Sequence, residues 1–390
     1  MSFSYPVILI ALMLFFPVIL PWIFTYILYF GVDFGIALYV FKKCNKKELV
    51  SPMLYLAVAM VMTNTVNMLA GYCKLGNYIL GAMNAFFLYG MERCLYIQKR
   101  DQKLQKFIHQ ISQIAIVVNV LSFLYLLLHW KDRNIDNYTF LFGSKFNSSY
   151  ILLLGIVLYY ANRNRNTKNP RKLVTLLLIA YCAWFSWSLN CITAVILTLF
   201  VLAFVILPSE KFKNILRKPV LLGAVIAATG TFSIWSVYPL RVPWVQKIIT
   251  EVFHRNLGLT GRLYIYSNVI ELLKKRLLIG YGNGTRVVEE LLGFGNSQNG
   301  MIEFILKYGI FIAIGFALII IFYLKMPRLL VEDKSWIFFG LALGMILVST
   351  VEVVYDSIIF YFAIYLCYYS SVDNIQKFNK HNRLHKHMVI

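Results

Sequence analysis

An all-α, polytopic transmembrane bundle of about twelve spans, with one large extracytoplasmic loop carrying amphipathic helices, is the fold predicted by three observations. The chain of 390 residues is 59% hydrophobic and 14% charged, with a mean hydropathy of +0.68, too apolar for soluble domains. Its apolar runs reach spanning length. Its Lys and Arg clusters fall in short segments between those runs, as the positive-inside rule requires of cytoplasmic loops. That placement accounts for an excess of 38 basic over 17 acidic residues, so no nucleic-acid partner is expected. The cysteines (Cys44, Cys73, Cys94, Cys182, Cys191, Cys367) are scattered without a C-x-x-C, which indicates neither a zinc site nor a disulfide framework. Residues 1–5 carry no basic n-region and no A-x-A site follows the first apolar run, so the first span is expected to be retained.

Taken in order, the apolar run 5–41 is too long for one helix and breaks at Pro21-Trp22, giving spans at about 4–20 and 24–41. Lys42, Lys43, Lys46 and Lys47 then mark the cytoplasm. Spans at about 52–72 and 77–97 return the chain to Lys99, Arg100, Lys103 and Lys106, and spans at about 108–128 and 150–162 return it to Arg163, Arg165, Lys168, Arg171 and Lys172. A hairpin of spans at about 173–188 and 192–207 ends at Lys211, Lys213, Arg217 and Lys218. A span at about 219–237 leads to the outer loop, and spans at about 300–324, 335–351 and 353–370 complete the bundle. The organisation is therefore nine spans in residues 1–237, an extracytoplasmic loop at 238–298, three spans in 299–370 and a basic tail at 371–390. Both termini are expected in the cytoplasm.

The outer loop holds eight Lys or Arg (Arg241, Lys247, Arg255, Arg262, Lys274, Lys275, Arg276, Arg286) against four acids (Glu251, Glu271, Glu289, Glu290). Concentrated cations on one exported loop suit an anionic ligand, the alternative being a solvated basic surface. Leu263, Tyr266, Ile270, Leu273 and Leu277 recur at amphipathic-helix spacing, with Thr260 as N-cap. Such a helix on the membrane surface would hold Arg262 in its first turn, where backbone N–H groups and a guanidinium meet the same anion. The alternative is an arginine that reaches lipid phosphates. Gly280-Tyr281-Gly282-Asn283-Gly284 permits a tight turn near a ligand but matches neither nucleotide-binding glycine motif, and no ATP use is expected.

Leu259-Thr260-Gly261-Arg262, an amphipathic helix, the Gly280-Tyr281-Gly282 turn and Ser297-Gln298-Asn299 open a span reading Gly300-Met301-Ile302-Glu303-Phe304-Ile305-Leu306-Lys307-Tyr308-Gly309-Ile310. This arrangement resembles the O-antigen polymerase and ligase superfamily, the Wzy-like membrane enzymes of bacterial polysaccharide assembly. The likeness covers residues 235–315; elsewhere it is the span count, the hairpin near 188–207 and a weaker echo at Phe142-Gly143-Ser144-Lys145-Phe146-Asn147-Ser148. The resemblance implies glycosyl transfer without metal or cofactor at the outer face of the cytoplasmic membrane. The implied donors are undecaprenyl-diphosphate-linked oligosaccharides, and a chain-length regulator is an implied partner. Arg262 matches the family's loop arginine and Arg241 is a second catalytic candidate. Arg255, Gly280, Gly282, Gly284, Asn299 and Glu303 are the substrate-binding candidates.

Two departures bear on the chemistry. Gln298 stands where relatives carry His or Asp, and a glutamine amide cannot act as a general base. His254 is the other candidate for that role. The hairpin Ser188-Leu189-Asn190-Cys191-Ile192-Thr193 lacks the cation that relatives place there. Of the remaining polar groups, Asp33, Glu352 and Asp356 fall in or near spans, where an ionisable side chain is costly unless paired or hydrated. Glu352 and Asp356, spaced i,i+4, are expected on one helical face, pairing with Arg93 or lining the outer mouth; a transporter's proton relay is the alternative reading. Asn64, Asn67, Asn84 and Asn119 are expected to bond between helices. A ligase of the same superfamily and a flippase of lipid-linked oligosaccharides remain as alternatives to a polymerase.

Overall fold

The computed structural model describes residues 3–15, 22–131, 140–162, 170–206, 215–216, 218–235, 242–252, 262–325 and 333–371. Among them every regular element is helical, and the single extended pairing is a bridge between Phe140 and Gly143. The long helices are α1 (Tyr5–Leu14), α2 (Trp22–Lys43), α4 (Pro52–Leu69), α5 (Leu75–Arg100), α6 (Leu104–Leu128), α7 (Lys145–Ala161), α8 (Pro170–Ser188) and α9 (Ile192–Ile206), with one turn, α3 (Lys46–Leu49), before α4. There follow α10 (Pro219–Gly230), the short α11 (Phe232–Trp235) and α12 (Pro243–Lys247), then α13 (Arg262–Arg276) and α14 (Val287–Leu292). The chain closes with α15 (Gly300–Tyr308), α16 (Ile310–Leu324), α17 (Asp333–Val348) and α18 (Ile358–Ser371).

Local chemistry explains several boundaries. Pro52 occupies the first turn of α4, where its missing N–H costs nothing, and the Ser51 hydroxyl accepts from the Leu54 amide. Ser144 caps α7 in the same way through the Asn147 amide. α7 therefore begins at Lys145, five residues before the span expected at 150, and carries Lys145 and Tyr150 in its first turns.

The apolar core runs through the body, from Met91 and Ile111 through Leu154 and Leu197 to Phe338 and Phe360. Much apolar surface remains outside. On α2, Phe24, Ile27, Phe30, Phe34, Leu38 and Phe41 form an exposed stripe opposite the buried Val32, Ile36 and Val40. A helix that is apolar on both faces, with one face uncovered, is membrane-like in character. Two described helices, Pro52–Leu69 and Leu104–Leu128, are long and apolar enough to cross a membrane, and seven shorter apolar helices accompany them.

Two expectations for the late spans are corrected. The run 300–324 is not one helix: Gly309 (φ 83°) separates α15 from α16. A Cβ at Gly309 would sit 2.1 Å from the Leu278 carbonyl oxygen, so only glycine lets the segment after α13 cross the break. Amides of that segment then satisfy carbonyls of the broken helix, from Tyr281 N to Leu306 O and from Gly282 N to Lys307 O, while Ile310 N donates back to Leu277 O. The second correction concerns residues 349–357, which form an irregular turn between α17 and α18. Glu352 and Asp356 therefore do not share a helical face.

Candidate functional site

The site is built where α13 meets that turn. The buried face of α13 is Ile265, Tyr266, Val269 and Leu272, packed with Tyr281, Val288, Ile302 and Leu306. Of the five residues expected to form its apolar stripe, only Tyr266 is buried; Ile270 and Leu273 are half-buried, Leu277 is exposed, and the Leu263 side chain lies outside the described residues. The stripe is rotated because α15, rather than lipid, lies beneath the helix. The Tyr266 hydroxyl anchors it by donating either to Gln298 O or to Thr350 O, each 3.0 Å away.

This docking fixes Arg262 at the start of α13. Its Nη2 donates to Glu352 Oε1 at 3.1 Å and to Val351 O at 3.2 Å. The pair is half-open, with 20% of the arginine and 15% of the glutamate side chain exposed. Burial pushes the Glu352 carboxyl up to about 7, against the opposing pull of Arg262 and then of Lys145. Tyr150 and Cys191 stand within electrostatic reach of the same carboxyl. A cavity of about 320 Å³ is lined among others by Tyr150 and by Val353, the residue after Glu352, with Ser144, Asn147 and Asp356. Three stretches that are far apart in the chain thus meet here: the arginine of Leu259-Thr260-Gly261-Arg262, the lysine of the 142–148 stretch and the hairpin cysteine.

The other predicted residues have varied fates. Asn299 is fully buried: its Oδ1 caps α15 by accepting from the Met301 and Ile302 amides, and its Nδ2 donates to Thr229 O and Thr350 O. Glu303 accepts from the Ser297 amide at 2.9 Å and faces Lys307, which pairs in turn with Asp356. Gln298, in the left-handed region (φ 54°), ties its amide side chain to Asn296. The glycine run seats against protein. A Cβ at Gly280 (φ 72°) would fall 2.7 Å from Leu306 O, and Gly282 and Gly284 follow in the same turn beside Cys73 and Asn77. Arg241, His254 and Arg255, with the expected cap Thr260, lie outside the described residues.

The polar groups expected between helices find different partners. Asn119 does bond to Leu152 O on α7. Asn64 and Asn67 instead hold the loop, accepting from Asn283 N and from Arg276, whose guanidinium also covers the Tyr72 ring at 3.7 Å. Arg93 pairs with its neighbour Glu92, so neither Glu352 nor Asp356 reaches it. Asp33 on α2 keeps both carboxylate oxygens buried without a hydrogen-bond partner among the described residues. Among those residues, no three His, Cys, Asp or Glu side chains gather as a metal-ligand group.

Sequence reasoning missed Lys145 and the Arg262–Glu352 pair. Glu352 did carry a signal, as an ionisable residue flanked by valines, but its partner is 90 residues away. No protein-family model matches this chain, and no match is found among curated proteins or solved structures.

Proposed function

We propose that this chain is an integral membrane glycosyltransferase of about twelve spans that polymerises undecaprenyl-diphosphate-linked oligosaccharide units into capsular, exo- or O-antigen polysaccharide. In this reading it works at the outer face of a bacterial cytoplasmic membrane, with residues 238–298 outside and both termini inside. The observation that carries the reading is Arg262, a planar guanidinium held one-fifth exposed at the N-terminus of α13, where it donates to the Glu352 carboxylate and the Val351 carbonyl. A guanidinium can hold two phosphate oxygens at once, and a fixed cation is most useful where charge develops as the anomeric bond to the diphosphate breaks. Lys145 adds a second positive charge on the same side. The exposed apolar surface of α2 supports the membrane setting.

The test is substitution at Arg262 in cells that depend on the polymer. Arg262→Ala and Arg262→Lys should each lower polymer formation by about 10²-fold or more while the protein accumulates normally. Lys274→Ala and Lys275→Ala, on the exposed side of the same helix, should stay near wild type. Normal polymer from Arg262→Lys, or equal loss in all four, would reduce the loop to a diffuse basic surface. Orientation is checked by labelling Lys275→Cys in a cysteine-free background, since modification only after permeabilisation would reverse the topology.

The helix break at Gly309 favours a second reading, transport of the lipid-linked oligosaccharide, because transporters place substrate at discontinuous helices. Recovery of the donor with its diphosphate bond intact on the opposite side of vesicles would select it. A ligase would be distinguished by a product on an acceptor other than a second repeat unit.

A further inference from the structure

Gln298 has no basic atom and ties its side chain to Asn296, and His254 lies outside the described residues. The carboxylate that meets Arg262 in the site is Glu352. Glu352 sits in a turn whose backbone is tied down on both sides, by Glu352 N to Val348 O and Val354 N to Glu352 O. Its carboxylate receives one hydrogen bond among the described residues, from Arg262, and 15% of the side chain remains open. The charged groups facing it are Arg262 on α13 and Lys145 on α7. The other titratable neighbours are Tyr266 on α13, Tyr150 on α7 and Cys191 in the hairpin before α9.

We infer that Glu352 is the proton acceptor of the transfer, and that Arg262 holds it ionised until the charge forming on the leaving diphosphate draws the guanidinium away. The inference rests on the glycosyltransferase reading and names a base for it. In the resting pair the two charges neutralise each other. Donor binding adds phosphate oxygens to the guanidinium's partners while Nη2 still holds Glu352 ionised, and the charge that forms on the leaving diphosphate draws Arg262 across only as the proton arrives. The acceptor hydroxyl then gives its proton to Glu352 as its oxygen bonds to the anomeric carbon. The bond from that carbon to the diphosphate oxygen breaks, and its electron pair leaves with the lipid diphosphate. Arg262 is then opposite the charge that has just formed, and Glu352, now neutral, no longer competes for it. The proton is later lost to solvent at the open part of the Glu352 side chain. Burial already raises the Glu352 carboxyl to about 7, which suits a base working near neutral pH.

The experiment uses the purified full chain with lipid-linked oligosaccharide extracted from cells in which it is deleted, and follows release of undecaprenyl diphosphate. Glu352→Gln should lower kcat by about 10²-fold or more with little change in KM, and should abolish the acid limb of the pH–kcat profile. Glu352→Asp should keep part of the rate and retain the limb. A second readout needs no turnover: undecaprenyl diphosphate added at pH 7 should raise the protonated-carboxyl infrared band of the wild type and leave Glu352→Gln unchanged. Wild-type turnover by Glu352→Gln, or an unaltered band on adding the lipid diphosphate, overturns the inference while leaving the function intact. Absence of diphosphate release by the wild type overturns the function itself.

Discussion

Two arginine–glutamate pairs lie near opposite ends of α18, and they are built for different purposes. Arg93 and Glu92 are adjacent on α5 and almost sealed, with 7% and 1% of their side chains exposed. Glu92 is clamped by two nitrogens of Arg93 and by the Tyr369 hydroxyl, while Arg93 also donates to Glu48 O. Both side chains edge a cavity of about 310 Å³ that the rings of Tyr96, Tyr323 and Tyr368 also line. Arg262 and Glu352 share one hydrogen bond between side chains, join elements far apart in the chain and are more exposed, at 20% and 15%. A pair with every position occupied has nothing left to offer a ligand and functions as a joint. A pair joined by one bond, with its carboxyl already inclined toward neutrality, can exchange partners.

Removing a charge from each pair should break or sharpen this contrast. The largest expected effect is Glu92→Ala, which strands Arg93 in the core and should cost about 3–5 kcal/mol, read as failure to accumulate or a lower unfolding midpoint in detergent. A near-normal midpoint would mean that water reaches that joint. Next comes Asn299→Ala, which removes the cap of α15 and two further hydrogen bonds around the turn. It should lower stability by about 1–2 kcal/mol and weaken activity by loosening the turn that carries Glu352.

The smallest effect, and opposite in sign to that of Glu92, is expected for Glu352→Gln. A carboxyl whose folded pKa is raised to about 7 binds protons that the unfolded chain has already released, so it lowers stability as pH rises toward 7. Above that pH, Glu352→Gln should be more stable than wild type, on the order of 1 kcal/mol, and its thermal midpoint should depend less on pH between about 4.5 and 7. A midpoint that falls at pH 8 would make the open pair a joint like the closed one.

The legibility of these features follows from the range of the interactions that make them. The helices were readable because apolar runs, Pro52 and the Ser144 cap act within a few residues of chain. The α13 helix was readable for the same reason, although its buried face was not: α15 covers Ile265 and Val269 where a lipid surface would have covered Ile270 and Leu273. The break at Gly309 was hidden because the run 300–324 is uniformly apolar apart from Glu303 and Lys307. Its glycine is explained only by the approach of the Leu278 carbonyl.

By itself the sequence determined that the chain is helical, apolar on its exterior and strongly basic. It also marked Arg262 and Glu352 as residues whose charge needs a reason. Tertiary structure alone decided that each is the other's reason. It also decided that Lys145 supports the same site, and that Asn299, Glu303 and the glycine run are occupied in holding the protein together. Hydropathy and capping are local and accumulate along the chain, whereas an ion pair across 90 residues exists only once α13, α15 and the 349–357 turn have packed.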